Sequence, residues 1–169
     1  MLRTAGGITV NQTTNFAGYY GSFYSLLDQM DGTTPHIFIC ENTADADGIT
    51  MEENDNGDKT QMTFANAGTY NIQFSTQLHR RSGGGSGTTV NIWFRLNGQD
   101  IAASDTRVSV QSNAPYVVAA WNFIVSVAAG DYVEMVWLTD NINIVIEHED
   151  ATVGHPAIPS IIMTAQQIR

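Results

Sequence analysis

Lysine occurs once in this chain, at Lys59, and cysteine once, at Cys40. A single thiol cannot close an intrachain disulfide, so nothing points to an oxidising compartment, and Cys40 reads as a buried, inert side chain. Charged residues make up 14% of the 169, against roughly 25% in typical soluble domains. So thin a charged coat implies that other protein covers much of the surface. Seven Lys and Arg face seventeen Asp and Glu, a formal net charge of −10. Arg80 and Arg81 form the only basic pair, and phosphate backbones need clustered cations, so nucleic acid is excluded as a partner. No apolar run approaches the ~20 residues of a spanning helix, and residues 1–10 lack the apolar centre of a signal peptide. The expectation is a protein made in the cytoplasm, with no membrane role. A chain of this length buries about 70% of its unfolded surface as one domain, so neither a disulfide nor a metal staple is required.

What is present is a period of two. Over 88–96, Val90, Ile92, Phe94 and Leu96 alternate with Thr89, Asn91, Trp93 and Arg95, which describes a half-buried strand. The pattern recurs in Tyr70, Ile72 and Phe74, in Val133, Met135 and Trp137, and in Ile142, Ile144 and Ile146. Turn residues separate these runs: the glycine-rich 82–87, Asn97-Gly98, Gly130-Asp131, Asp140-Asn141, and Pro156 with Pro159. Short strands at that spacing predict an all-β sandwich or barrel. Residues 23–30 fit a helix or a strand equally well. The stretch 82–87 reads as a hairpin loop rather than a linker between domains. Over 117–127 the odd positions are uniformly apolar and the even ones mostly apolar or small, which predicts a strand buried on both faces. A two-sheet sandwich covers only one face of each sheet, so a second subunit is expected on the other.

Candidate chemistry is sparse. Gly83-Gly84-Gly85-Ser86-Gly87 lacks the strand-to-helix setting of a reactive serine, and Thr88-Thr89 follow where a phosphate loop needs Lys and a hydroxyl. Glu147, His148, Glu149, Asp150 and His155 form the densest polar cluster. On a strand His148 points away from Glu147 and Glu149, which weakens a metal or acid–base site and favours a solvated strand end. His36 and His79 stand alone in sequence. The acidic stretch 41–58 fits no EF-hand register: Gly48 at the sixth position puts Thr43 first and Asn54 last, and Gly57 there puts Thr63 last. An exposed acidic loop or an irregular calcium site remains for it. No cofactor is expected, and no catalytic constellation stands out.

Three segments carry a resemblance. Phe64-Ala65-Asn66-Ala67-Gly68-Thr69-Tyr70-Asn71-Ile72-Gln73-Phe74, the Asn97-Gly98 turn, and the strand at 125–127 running into Gly130-Asp131 and Val133 are similar to the trimeric jelly roll of the complement globular-head and tumour-necrosis-factor superfamily. Pro159-Ser160-Ile161-Ile162 falls where that family has its closing strand. The resemblance covers about 105 residues, from 64 onward. It implies an all-β, two-sheet antiparallel jelly-roll sandwich that forms a homotrimer, with one sheet turned towards its neighbours. It places Asn71, Gln73, Ala120, Ile124, Ile158 and Ile162 at the trimer interface.

Similar domains occur in secreted signalling ligands and in structural proteins of tailed phages. The lone cysteine and the missing signal peptide favour the second. A non-enzymatic virion protein is therefore expected, a trimeric decoration or cement protein on the phage head whose partner is the major capsid protein. A receptor- or glycan-binding tip of a tail fibre or spike, using Trp93, Tyr19 or Tyr20, is the alternative. Residues 17–169 are expected to form the domain. Residues 1–16, uncharged apart from Arg3 and the terminal amine, are expected to form an arm that anchors it.

Overall fold

The computed structural model describes residues 18–82 and 87–169, and these contain strands and no helix. In chain order the strands are β1 (Tyr20–Ser25), β2 (His36–Ile37), β3 (Asn42–Asp47), β4 (Ile49–Glu53), β5 (Lys59–Phe64), β6 (Gly68–Arg80) and β7 (Thr88–Leu96). There follow β8 (Gln99–Asp100), β9 (Thr106–Val110), β10 (Tyr116–Val127), β11 (Tyr132–Thr139), β12 (Ile144–Ile146) and β13 (Ile161–Gln167). The arm at 1–16 and the 83–86 part of the expected hairpin loop lie outside the described residues.

The strands form two antiparallel sheets packed as a β-sandwich. The first runs β10-β6-β13-β1-β3, with β12 beside the far end of β6. The second runs β4-β5-β11-β7-β8, with β2 on β11 and β9 on β7. Alternation dictates which side chains meet between them. Tyr70, Ile72, Phe74, Ile161 and Met163 of the first sheet, and Met62, Phe64, Val90, Ile92, Phe94, Val133, Met135 and Trp137 of the second, are buried. Each such side chain contributes roughly 1.5–3 kcal/mol by leaving water. Aromatic rings stitch the layers: Phe64 lies 4.5 Å from Tyr70, and Phe94 6.0 Å from Phe74 and 4.9 Å from Phe123. The Tyr70 hydroxyl donates to the Asn66 carbonyl at 2.9 Å, so the ring is buried without stranding its polar end.

Several expectations change. The acidic stretch 41–58 is no loop but two edge strands, β3 of the first sheet and β4 of the second. The chain switches sheets at Gly48, whose φ of 71° suits glycine and whose absent Cβ leaves room for the Tyr19 ring. Residues 20–25 are strand, which settles the reading of 23–30 for its first half. The alternation at 142–146 fails because Ile142 sits exposed in a turn closed by the Ile144 N–H donating to the Asn141 carbonyl, while Ile144, Val145 and Ile146 are all buried. The last strand starts at Ile161, and Ile158 precedes it, bridged to Glu149.

Candidate functional site

The outer face of the first sheet is built by three long neighbours in unbroken register. All twelve positions of β10 pair with β6, from Tyr116 opposite His79 to Val127 opposite Gly68. On the other side of β6, Ile162 stands opposite Ser75, Thr164 opposite Gln73 and Gln166 opposite Asn71. The outward side chains therefore form cross-strand rows: Val118 and Gln77; Ala120, Ser75 and Ile162; Asn122, Gln73 and Thr164; Ile124, Asn71 and Gln166. Odd positions of β10 point inward, where Trp121 packs edge-on against Phe74 at 4.5 Å. Even ones point out: Tyr116 is 64% exposed, Val118 58%, Ile124 57%, and Ile162 on β13 is 40% exposed. Within one chain, then, β10 is buried on a single face, and its other face is open.

This face has almost no charge. Across β1, β6, β10, β12 and β13 the only Asp, Glu, Lys or Arg is Arg80, which is buried. The strands of the second sheet carry Glu52, Glu53, Lys59, Arg95, Asp100, Arg107 and Glu134. There Asp100 accepts from both Trp93 Nε1 and Arg95 Nε at 2.7 Å, so Trp93 is held by its own neighbours rather than presented on a loop. Burial pushes the Glu134 carboxyl above the usual carboxylate range, against the pull of Arg95.

At the centre of the uncharged face stands Gln73, between two shallow depressions. One, of about 360 Å³, is bordered by Gln73, Ala120 and Asn122. The other, of about 270 Å³, is bordered by Gln73, Ser75, Ile162 and Thr164. Asn122 Nδ2 donates to Asn71 Oδ1 at 3.1 Å, which ties β10 to β6 across the face. Gln73 is exposed and its carboxamide makes no hydrogen bond within the described residues.

The upper end of the face is closed by a network that sequence reading kept apart. His79 stacks on Tyr116, centroids 4.1 Å apart, and its Nδ1 lies 2.7 Å from Glu147 Oε2. Arg81 bridges Glu147, at 3.2 Å, and Asp28. Asp28 also accepts from the His148 N–H at 2.9 Å. Burial opposes the Asp28 charge, but the His148 N–H and the Arg81 guanidinium outweigh it and hold the carboxyl below its ordinary range. His79 is thus paired, not solitary, and these groups clamp the β1–β2 connection to the ends of β6 and β12. Among the described residues no three His, Cys, Asp or Glu side chains gather as metal ligands. Cys40 is buried and its thiol is pushed up by burial, as an inert core thiol requires.

Of the six residues placed at an interface from sequence, Asn71, Gln73, Ala120, Ile124 and Ile162 share the one face. Ile158 does not: it is half-buried in the 149–158 bridge. Val118 and Asn122, even positions of the 116–127 strand, share that face too, and Thr164 of β13 joins them through the register. No protein-family model matches the chain, and no curated protein matches it either.

Proposed function

We propose that this chain is a non-enzymatic structural subunit that closes into a homotrimer through the outer face of its first sheet. We propose further that the trimer decorates a viral capsid, clamping the major capsid protein from outside. The observation that carries the first step is the charge map. Copies of a chain with net charge −10 repel one another over most of their surface, and the β10-β6-β13 face is where they meet without like charges opposed. Its three strands cover on the order of 40 by 15 Å, from ~3.3 Å per residue and ~4.8 Å per strand. In a closed ring that area of about 600 Å² is shared between two neighbours, so it supplies part of the roughly 800 Å² per partner of a stable interface.

The winding supports a jelly roll: the chain crosses between sheets from β1 to β2, β2 to β3, β3 to β4, β5 to β6, β6 to β7, β9 to β10, β10 to β11 and β11 to β12. The resemblance of 64–74, 97–98 and 125–133 to the trimeric jelly-roll superfamily supports three copies, and its occurrence in phage particles supports the capsid. The thin charged coat fits a subunit that spends its working life covered by protein. Native mass spectrometry, followed by co-sedimentation with shells lacking the protein, tests both steps. The expected results are a particle of three times the 18.4 kDa chain and saturable attachment to shells. A monomer contradicts the first step. Trimers that ignore shells but bind host cells contradict the second and favour the receptor-binding tip.

A further inference from the structure

The geometry points to Gln73 as the axial residue of that trimer, where three side-chain amides close a ring of hydrogen bonds that favours the closed, in-register assembly over open or slipped ones. This rests on the homotrimer reading above. A closed ring of identical subunits needs two different patches on each, one meeting the neighbour on the left and one the neighbour on the right. The uncharged face supplies two. On one side of β6 lie Val118, Ala120 and Ile124 of β10; on the other lies Ile162 of β13. The strand between them carries outward Asn71, Gln73, Ser75 and Gln77. The row that separates two lateral patches faces the axis, and Gln73 is its midpoint, with a depression on either side.

Asn71 already accepts from Asn122, whereas the Gln73 amide has no partner among the described residues. A carboxamide brings both donors and an acceptor, so a ring in which each copy donates to the next and accepts from the previous one satisfies the group in any closed assembly. An open or slipped arrangement leaves a desolvated amide unpaired, which is costly. Polar side chains at a contact between copies fix register in this way, at some loss of stability.

Two substitutions test it, read by sedimentation velocity with circular dichroism as a check on folding. Gln73 is exposed in the single chain, so neither change disturbs the core. Gln73→Glu places three carboxylates together, and their repulsion raises the carboxyl pKa in the trimer above its free value of about 4.3. Assembly is therefore present when these groups are protonated and lost as pH rises through the raised pKa. The variant is expected to sediment as a monomer at pH 8 and as a trimer near pH 5, while the wild type is trimeric at both. Gln73→Leu is expected to assemble still, with dimers and larger species beside the trimer. A Gln73→Glu trimer indifferent to pH, or a Gln73→Leu trimer of single stoichiometry, overturns the inference while leaving the homotrimer in place. A monomeric wild type overturns the homotrimer itself.

Discussion

Trp137 is fully buried, its ring tilted against Phe38 and His36 at centroid distances of 6.2 Å. Gly32 lies under it so closely that a Cβ there would come within 2.1 Å of the indole. The Gly32 carbonyl also accepts from the Thr139 N–H at 2.7 Å, which pins the backbone at that spot. Neither partner can retreat, because the ring is held by the core and the loop by β11. Gly32→Ala is therefore expected to destabilise the fold by about 1–3 kcal/mol, the usual cost of overpacking a dense core. Urea denaturation followed by tryptophan fluorescence measures it, and an unchanged midpoint would falsify the close approach.

At the scale of elements, the start of β7 is tied to the end of β11 by one carboxylate. Asp140 accepts from the Thr88 hydroxyl, from the Thr89 N–H at 3.1 Å and from the Thr89 hydroxyl at 3.3 Å. The Thr88 hydroxyl leads in holding the Asp140 carboxyl below its ordinary range. Asp131 is lowered likewise, by Asn97 and then by the Ala128 N–H, and it holds the β10–β11 turn. A carboxyl depressed in the folded state binds its proton sooner in the unfolded one. These carboxylates stabilise the fold fully above about pH 4, and that contribution is lost as pH falls through their lowered values. The urea midpoint is expected to drop between pH 5 and pH 3, and to drop less in Asp140→Asn. Equal drops in both proteins would show that this link contributes nothing.

The core strands were legible in sequence because alternation alone identifies a sheet with one dry face: 69–75, 88–96 and 133–137 lie as expected. Two elements were not. Residues 42–53 look like an acidic loop because edge strands need few apolar residues, and their carboxylates guard the edges against stray pairing. The 142–146 run is strand only from Ile144 to Ile146, because Ile142 lies in the turn before it and isoleucines two apart mimic alternation across that turn.

For the whole molecule, what matters is how the charge is distributed rather than its total. Acidic groups line the β3 and β4 edges, mixed charges cover the second sheet, and the β10-β6-β13 part of the first sheet's outer face is left uncharged with Val118, Ile124 and Ile162 exposed. Period-two alternation could anticipate an apolar outer row on β10. It could not anticipate that β6 and β13 add the uncharged rows beside it, because that depends on which strands become neighbours. The most direct measurement is the sedimentation coefficient of the wild type beside that of Ile124→Asp at micromolar concentration. A carboxylate at a position 57% exposed in the single chain leaves folding intact, but in an interface it is an unpaired buried charge that costs several kcal/mol. The account predicts a trimer for the wild type and a folded monomer for the variant. Equal sedimentation of the two, at either stoichiometry, contradicts it.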